Sequence, residues 1–292
     1  MKKILTLLIF GSLFSCNNSD DKADGYGNFE ATETTISAET NGKLTFLNVE
    51  EGAVLEPNIQ IGLVDTIQLY LNKQQLIASR NTIVSKSKNV LSQEQVLQEQ
   101  LKTTLIEKKR IENMYAENAA TKRQVDEIDG KVNVLKEQIK SVGTQNAPIT
   151  NEAKSIDVQI EKIDDQILKS KIINPIKGTV LAKYAETNEI TSFGKPLYKI
   201  ADISQMTLRV YVSETLLPKI KIGQKVTVKI DAESAMKNYS GTISWISASA
   251  EFTPKIIQTK EERVNLVYAV KVTVVNDGSL KIGMPAEMWI TP

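Results

Sequence analysis

The chain has no histidine in 292 residues, one cysteine, and aromatic side chains at only 5%. The missing imidazole removes the commonest general base, the histidine of hydrolytic triads and the usual zinc ligand. A lone cysteine cannot close an internal disulfide. Scarce aromatics argue against a base- or sugar-stacking platform. A net charge of +1 leaves no concentrated basic surface for nucleic acid. There is no Gly-rich phosphate loop and no paired acidic motif, so no catalytic residue, metal ligand or cofactor is assigned and the chain reads as a non-enzyme. Glycine and proline are nearly missing from residues 66–171, where only Gly130, Gly143 and Pro148 occur.

What is present starts with a repeat. Gly42, Gly52 and Asn58 recur 136 positions later as Gly178, Asn188 and Gly194. The apolar positions Ile36, Leu44, Val54, Ile61 and Val64 recur as Ile172, Val180, Ile190, Leu197 and Ile200. Gly and Asn tolerate positive φ, so the matched residues mark equivalent turns. Residues 34–65 and 172–201 therefore form two halves of one β domain, split by a helical insertion.

The insertion, residues 66–171, has helical periodicity. Leu69, Leu76, Ile83, Val90, Leu97, Thr104 and Ile111 are seven apart, with Ile77, Val84, Leu91 and Leu105 as a flanking row. Val125, Ile128, Val132, Leu135, Ile139 and Val142 alternate three and four apart, the spacing of coiled-coil core positions. Ile149, Ile156 and Ile163, with Ala153, Ile160 and Ile167, resume the same rows. Gly143 and Pro148 are therefore expected to loosen the second helix without shifting its register. A reversal near Glu117–Ala120 gives two arms of nearly equal length, each roughly 75 Å long at about 1.5 Å per residue.

The first residues, Met1-Lys2-Lys3 followed by an apolar run to Phe14 and then Ser15-Cys16, have the layout of a secretory signal (residues 1–15). Leu13-Phe14-Ser15-Cys16 resembles a lipobox, which would make Cys16 the lipidated residue and residues 16–33 a polar tether. After Asp202 the pattern becomes alternating strands: Leu208–Val212, Val226–Ile230, Tyr239–Ile246, Val267–Val274 and Ala286–Ile290. Ser213 is placed to cap one helix between them. Residues 202–292 read as a small β-barrel.

The reversal carries Arg110, Met114 four residues on, and Thr121 seven beyond that. Here the sequence resembles the HlyD-like membrane fusion proteins, the periplasmic adaptors of bacterial export systems. Their hairpin tips carry Arg, Leu and Ser at this spacing and dock on a TolC-like outer-membrane channel. The plainer alternative is a solvated arginine beside a seam-filling methionine. Gly42-Lys-Leu44, Val49 to Val54, Asn174 to Val180 and Phe193 to Leu197 resemble the two halves of the family's lipoyl-like domain, with Asn58 and Asn188 where Gly is usual. The turn that holds the acceptor lysine in lipoyl carriers is replaced by the insertion, so no carrier function is expected. Phe252 to Arg263, with Pro254 inside it, resembles a stretch of the branch that accompanies ABC-type exporters. That stretch could be a subunit contact, a transporter contact or a charged surface loop. Gly283-Met-Pro-Ala-Glu287 resembles the family's barrel-closing strand.

The resemblance implies a mixed α and β, elongated multidomain fold: a split lipoyl-like β domain, a long antiparallel coiled-coil hairpin and a C-terminal small β-barrel. A further membrane-proximal domain is expected to be absent or rudimentary. It implies an adaptor lipoprotein, on the periplasmic face of the cell envelope with the inner membrane favoured. Its partners would be an inner-membrane ABC-type transporter, a TolC-like channel and further copies in a homo-oligomeric ring, a hexamer by resemblance. The alternative function is a structural envelope lipoprotein that uses the coiled coil as a spacer or tether.

Overall fold

The structure, a computed structural model, describes residues 22–232, 236–252 and 266–290. The chain forms two compact units. One comprises Thr35–Ile176 and Val180–Lys199, and the other comprises the described residues through Thr34, Lys177–Thr179 and those from Ile200 onward.

Strand β1 (Gly25–Glu30) belongs to the barrel. The split domain is built from β2 (Glu33–Ser37), β3 (Gly42–Leu47), β4 (Val54–Leu55), β5 (Gln60–Val64), β6 (Lys171–Ile173), β7 (Gly178–Lys183), β8 (Ile190–Thr191) and β9 (Pro196–Ala201). One sheet runs β2-β9-β7-β4 and the other β6-β5-β3-β8. The sequence offset maps β2, β3, β4 and β5 onto β6, β7, β8 and β9, and so turns one strand order into the other. Each sheet takes strands from both copies, which makes the two halves interdependent.

The hydrogen bonds repeat with the strands. The Gly52 N–H donates to the Val180 carbonyl at 2.9 Å, and the Asn188 N–H to Leu44 at 2.8 Å. Asn58 donates to Asn174 at 2.7 Å, and Gly194 to Ala38 at 2.8 Å. The matched turn residues share the left-handed region, with φ of 84° at Gly52 and 74° at Asn188, and 62° at Asn58 and 80° at Gly194. Asn is therefore standing in for Gly at backbone positions that require positive φ. The third matched pair differs. Gly42 has φ 153°, whereas at Gly178 an added Cβ would lie 2.6 Å from the Ala201 carbonyl oxygen, so close approach excludes a side chain there.

Between β5 and β6 the chain is helical: α1 (Ile67–Ala116), α2 (Lys122–Thr144) and α3 (Asn146–Lys169). Only Gln145 separates α2 from α3, and it keeps right-handed helical angles, φ −73° and ψ −18°. The seven-apart row of α1 and the rows of the return arm form the seam, with Ile83, Val90, Ile128 and Val132 buried, whereas the expected flanking row leaves it at Leu91 and Leu105, which are exposed. A second seam row on α1 is polar. Lys73 pairs with Asp164, Arg80 with Asp157 and Lys108 with Asp129, and the Ser87 hydroxyl donates to Asn146 Oδ1 at 2.6 Å. Arg80 to Lys108 is four heptads, and so is the return from Asp157 to Asp129. The two arms therefore stay in one register across Gln145, as the resumed rows imply.

The second unit closes a barrel from β1, β10 (Gln205–Ser213), β11 (Lys225–Ile230), β12 (Lys237–Ile246), β14 (Leu266–Val275) and β15 (Pro285–Ile290). Neighbours run β10-β1-β15-β11-β12-β14, β14 pairs back to β10, and the short β13 (Glu251–Phe252) adds to β14. Phe29, Met206, Leu208, Ile243, Val272, Leu280 and Met288 fill the interior. Two expectations are corrected here. Residues 25–30, assigned to the tether, are a barrel strand paired with β10 and β15. Gly27 permits this, because a Cβ there would lie 1.8 Å from the Arg209 carbonyl oxygen. The helix after Ser213 is a 3-10 segment, Glu214–Lys219, and Ser213 provides no side-chain cap, its hydroxyl instead meeting Thr215 Oγ1 at 2.7 Å.

The barrel carries an internal repeat of its own. Lys221-Ile222-Gly223-Gln224 and Lys281-Ile282-Gly283-Met284 are both turns closed by an N–H to carbonyl bond of 3.1 Å, with φ of 87° at Gly223 and 82° at Gly283. Each leads into an antiparallel strand, β11 or β15, and these pair with Val228 opposite Met288. The two turns therefore occupy opposite rims.

Candidate functional site

The hairpin tip is made by two terminal motifs back to back. At the end of α1, Asn118 takes φ 60°, its N–H donates to Tyr115 O at 3.0 Å, and the Ala119 N–H donates to Met114 O at 2.8 Å. This is a Schellman closure with Asn in the left-handed position. Two residues later Thr121 starts α2 with a capping box. Its Oγ1 accepts the Gln124 N–H at 3.4 Å, and the Thr121 N–H donates to Gln124 Oε1 at 2.8 Å. These bonds tie backbone groups at both helix ends to partners between Met114 and Gln124, which gives an exposed turn a fixed shape.

The expected site residues divide across this turn. Arg110 and Met114 are four apart on α1 and share a face, Met114 being 41% exposed. Among the described residues Arg110 enters no ion pair, while its neighbour Lys108 is held by Asp129 at 2.6 Å and its ammonium is raised above the ordinary lysine value chiefly by that hydrogen bond. Thr121 is exposed, but its hydroxyl is engaged locally, donating to Gln124 Oε1 at 3.0 Å. Tyr115, 45% exposed beside Met114, was not singled out by spacing. Asn118, in the helix-stop position, could have been read as a C-terminal signal.

The remaining candidates are less defined. Phe252 is in β13, its backbone opposite Leu266. Cys16, Pro254 and Arg263 lie outside the described residues. Among the described residues no helix is long and apolar enough to cross a membrane, and no group of acidic, His or Cys side chains is arranged to hold a metal.

A closed barrel, a split two-sheet domain and a long hairpin between its halves also occur together in solved structures. A membrane fusion protein from Streptococcus pneumoniae superposes with a TM-score of 0.57 over 91% of this chain and 99% of its own, at 14% identity. MacA from Actinobacillus actinomycetemcomitans gives a TM-score of 0.52 over 90% of this chain and 76% of its own, at 20% identity. This is a membrane fusion protein fold. No family model matches the chain. In sequence, a UPF0194 membrane protein of Yersinia enterocolitica is 23% identical over 310 residues, covering 98% of this chain and 94% of that one. Another from Acidithiobacillus ferridurans is 32% identical over 126 residues, but the match spans only 37% of that protein and 43% of this one. Among the described residues, the hairpin tip presents a preformed turn with Arg110 and Met114 exposed beside it.

Proposed function

We propose that this chain is a lipid-anchored periplasmic adaptor that links an inner-membrane ABC-type exporter to a TolC-like outer-membrane channel, working as a ring of copies. The observation that carries the reading is the doubly capped tip, which holds an exposed Arg110–Met114 face on a membrane fusion protein fold. Arg110 offers a guanidinium to carboxylate or carbonyl acceptors, and Met114 an apolar knob. Thr121 shapes the turn first and has its remaining lone pair for a partner. The split β domain, which we read as lipoyl-like, carries the hairpin in place of an acceptor-lysine turn, so the work proposed is assembly and not bond-making.

The test is Arg110→Asp with Met114→Asp. Efflux and capture of the outer-membrane channel should both be lost while the circular dichroism spectrum and membrane attachment stay as in the parent. Transport and channel capture that survive the pair of changes would refute the docking role and favour the spacer function.

A further inference from the structure

The barrel rim at the start of β1 carries exposed apolar and basic side chains. Gly25 pairs with Met288, Tyr26 with Tyr211 and Val226 with Ile290, so β1 begins where β10 and β15 end and β11 starts. Asp24 is fastened to this rim: its N–H donates to Met288 O at 3.0 Å and its carboxylate accepts the Ile290 N–H at 2.7 Å. Asp24 is eight positions beyond Cys16, a leash of roughly 28 Å at full extension.

At this rim the turn Lys221–Gln224 holds Ile222 at its apex, 67% exposed. The Gly223 N–H donates to Ile243 O at 2.8 Å and the Ile243 N–H donates to Gln224 O at 2.9 Å, so the apex is braced and not a loose loop. Two residues beyond Ile243 is Trp245, 40% exposed, with the Lys271 ammonium 5.5 Å from its ring centre. Between Ser213 and Val226 the exposed charges are Lys219, Lys221 and Lys225 against Glu214. An apolar apex, a tryptophan and a surplus of lysines within reach of an acyl anchor match the chemistry of a bilayer interface, where aromatic and apolar groups enter the headgroup layer and cations meet anionic lipid.

We propose that this rim is a second membrane contact, seating Ile222 in the headgroup layer of an anionic lipid surface. The orientation rests on the reading of Cys16 as the anchor. The contact itself does not, because it is measurable without acylation. The anchor confines the rim to the bilayer and the rim orients the barrel upon it, a two-signal attachment in which each element is weak alone.

The internal repeat supplies the control. Ile282 occupies the same turn at the opposite rim, 39% exposed, and is not part of the proposed contact. The full chain with Cys16→Ser is purified without acyl groups and sedimented with vesicles of phosphatidylcholine alone or mixed with phosphatidylglycerol. It should bind the mixed vesicles and release with salt. Ile222→Asp should weaken binding about tenfold, Lys221→Glu about fivefold, and Ile282→Asp should leave it unchanged. Absence of binding by the unacylated parent, undiminished binding by Ile222→Asp, or an equal loss with Ile282→Asp would overturn the proposal. A rim that instead meets a protein partner falls in the first of these. Mass analysis of the envelope-extracted protein reads Cys16 acylation separately, so failure of the anchor and failure of the rim are told apart.

Discussion

The barrel and the hairpin bury apolar surface in opposite ways. The barrel curls one sheet on itself, and Phe29, Leu208, Ile243 and Met288 are wholly enclosed. The hairpin, over more than a hundred residues, fully buries only Ile83, Val90, Ile128 and Val132 among its hydrophobic side chains, the rest of its seam being half-covered. A closed core makes each large side chain a partner of many others, whereas a two-helix seam makes each rung depend on its neighbours along the rod. The hairpin accordingly uses polar rungs to hold register, while the interior of the barrel is apolar.

The sharpest way to break this contrast is a pair of truncations. Phe29→Ala should cost about 3–5 kcal/mol and loosen the whole barrel, and Ile128→Ala about 2 kcal/mol, confined to nearby rungs. Hydrogen exchange resolved along the chain reads both, and a global response to Ile128→Ala would contradict the picture of a segmented rod. A smaller effect is expected from Arg80→Asp or Asp157→Arg alone. Each should lower the helical melting midpoint, and the double exchange should recover most of the loss, because the rung depends on opposite charges in register and not on which arm carries them. No recovery would mean that the polar row does not set register. The smallest effect concerns acid. Asp277 is held well below the carboxylate range, chiefly by the Lys237 ammonium at 2.6 Å. A depressed carboxyl stabilises the folded barrel above its unfolded pKa, near 4, and loses that contribution as the pH falls toward its folded value. Asp277→Asn should lower the barrel's melting midpoint slightly at neutral pH, where the charged carboxylate contributes, and flatten the acid limb of the melting profile, the two proteins converging at low pH.

Much of the fold was legible because it repeats. The offset between Gly52 and Asn188 reports a backbone requirement that only a few residues meet, and it predicted the equivalent turns of the two sheets. The hairpin seam was equally open to reading, since heptad rows need only local spacing. What escaped notice was non-local or polar. Gly25–Glu30 contains two glycines and no alternating run, and its pairing partners lie far along the chain, so nothing in the segment itself announces a strand. Lys73, Arg80 and Lys108 escaped because seam positions were sought among apolar residues. The reversal near residues 117–120 was legible in the length of the two helical stretches, but the local use of the Thr121 hydroxyl by Gln124 is a matter of cap geometry that residue spacing does not carry.

The place of β1 has a consequence for synthesis. Strand β1 lies between β10 and β15, so closure joins segments that are far apart in the sequence. Contacts of such long sequence separation form late, because the intervening chain must be ordered or looped out first. The hairpin, with its rungs between successive helices, can zip as soon as its return arm is made. Until β15 is made, β1 and β11 are left as open edges that invite pairing with another chain. A ribosome that stalls before Pro285 would therefore release a product with a finished rod and an adhesive, unclosed barrel.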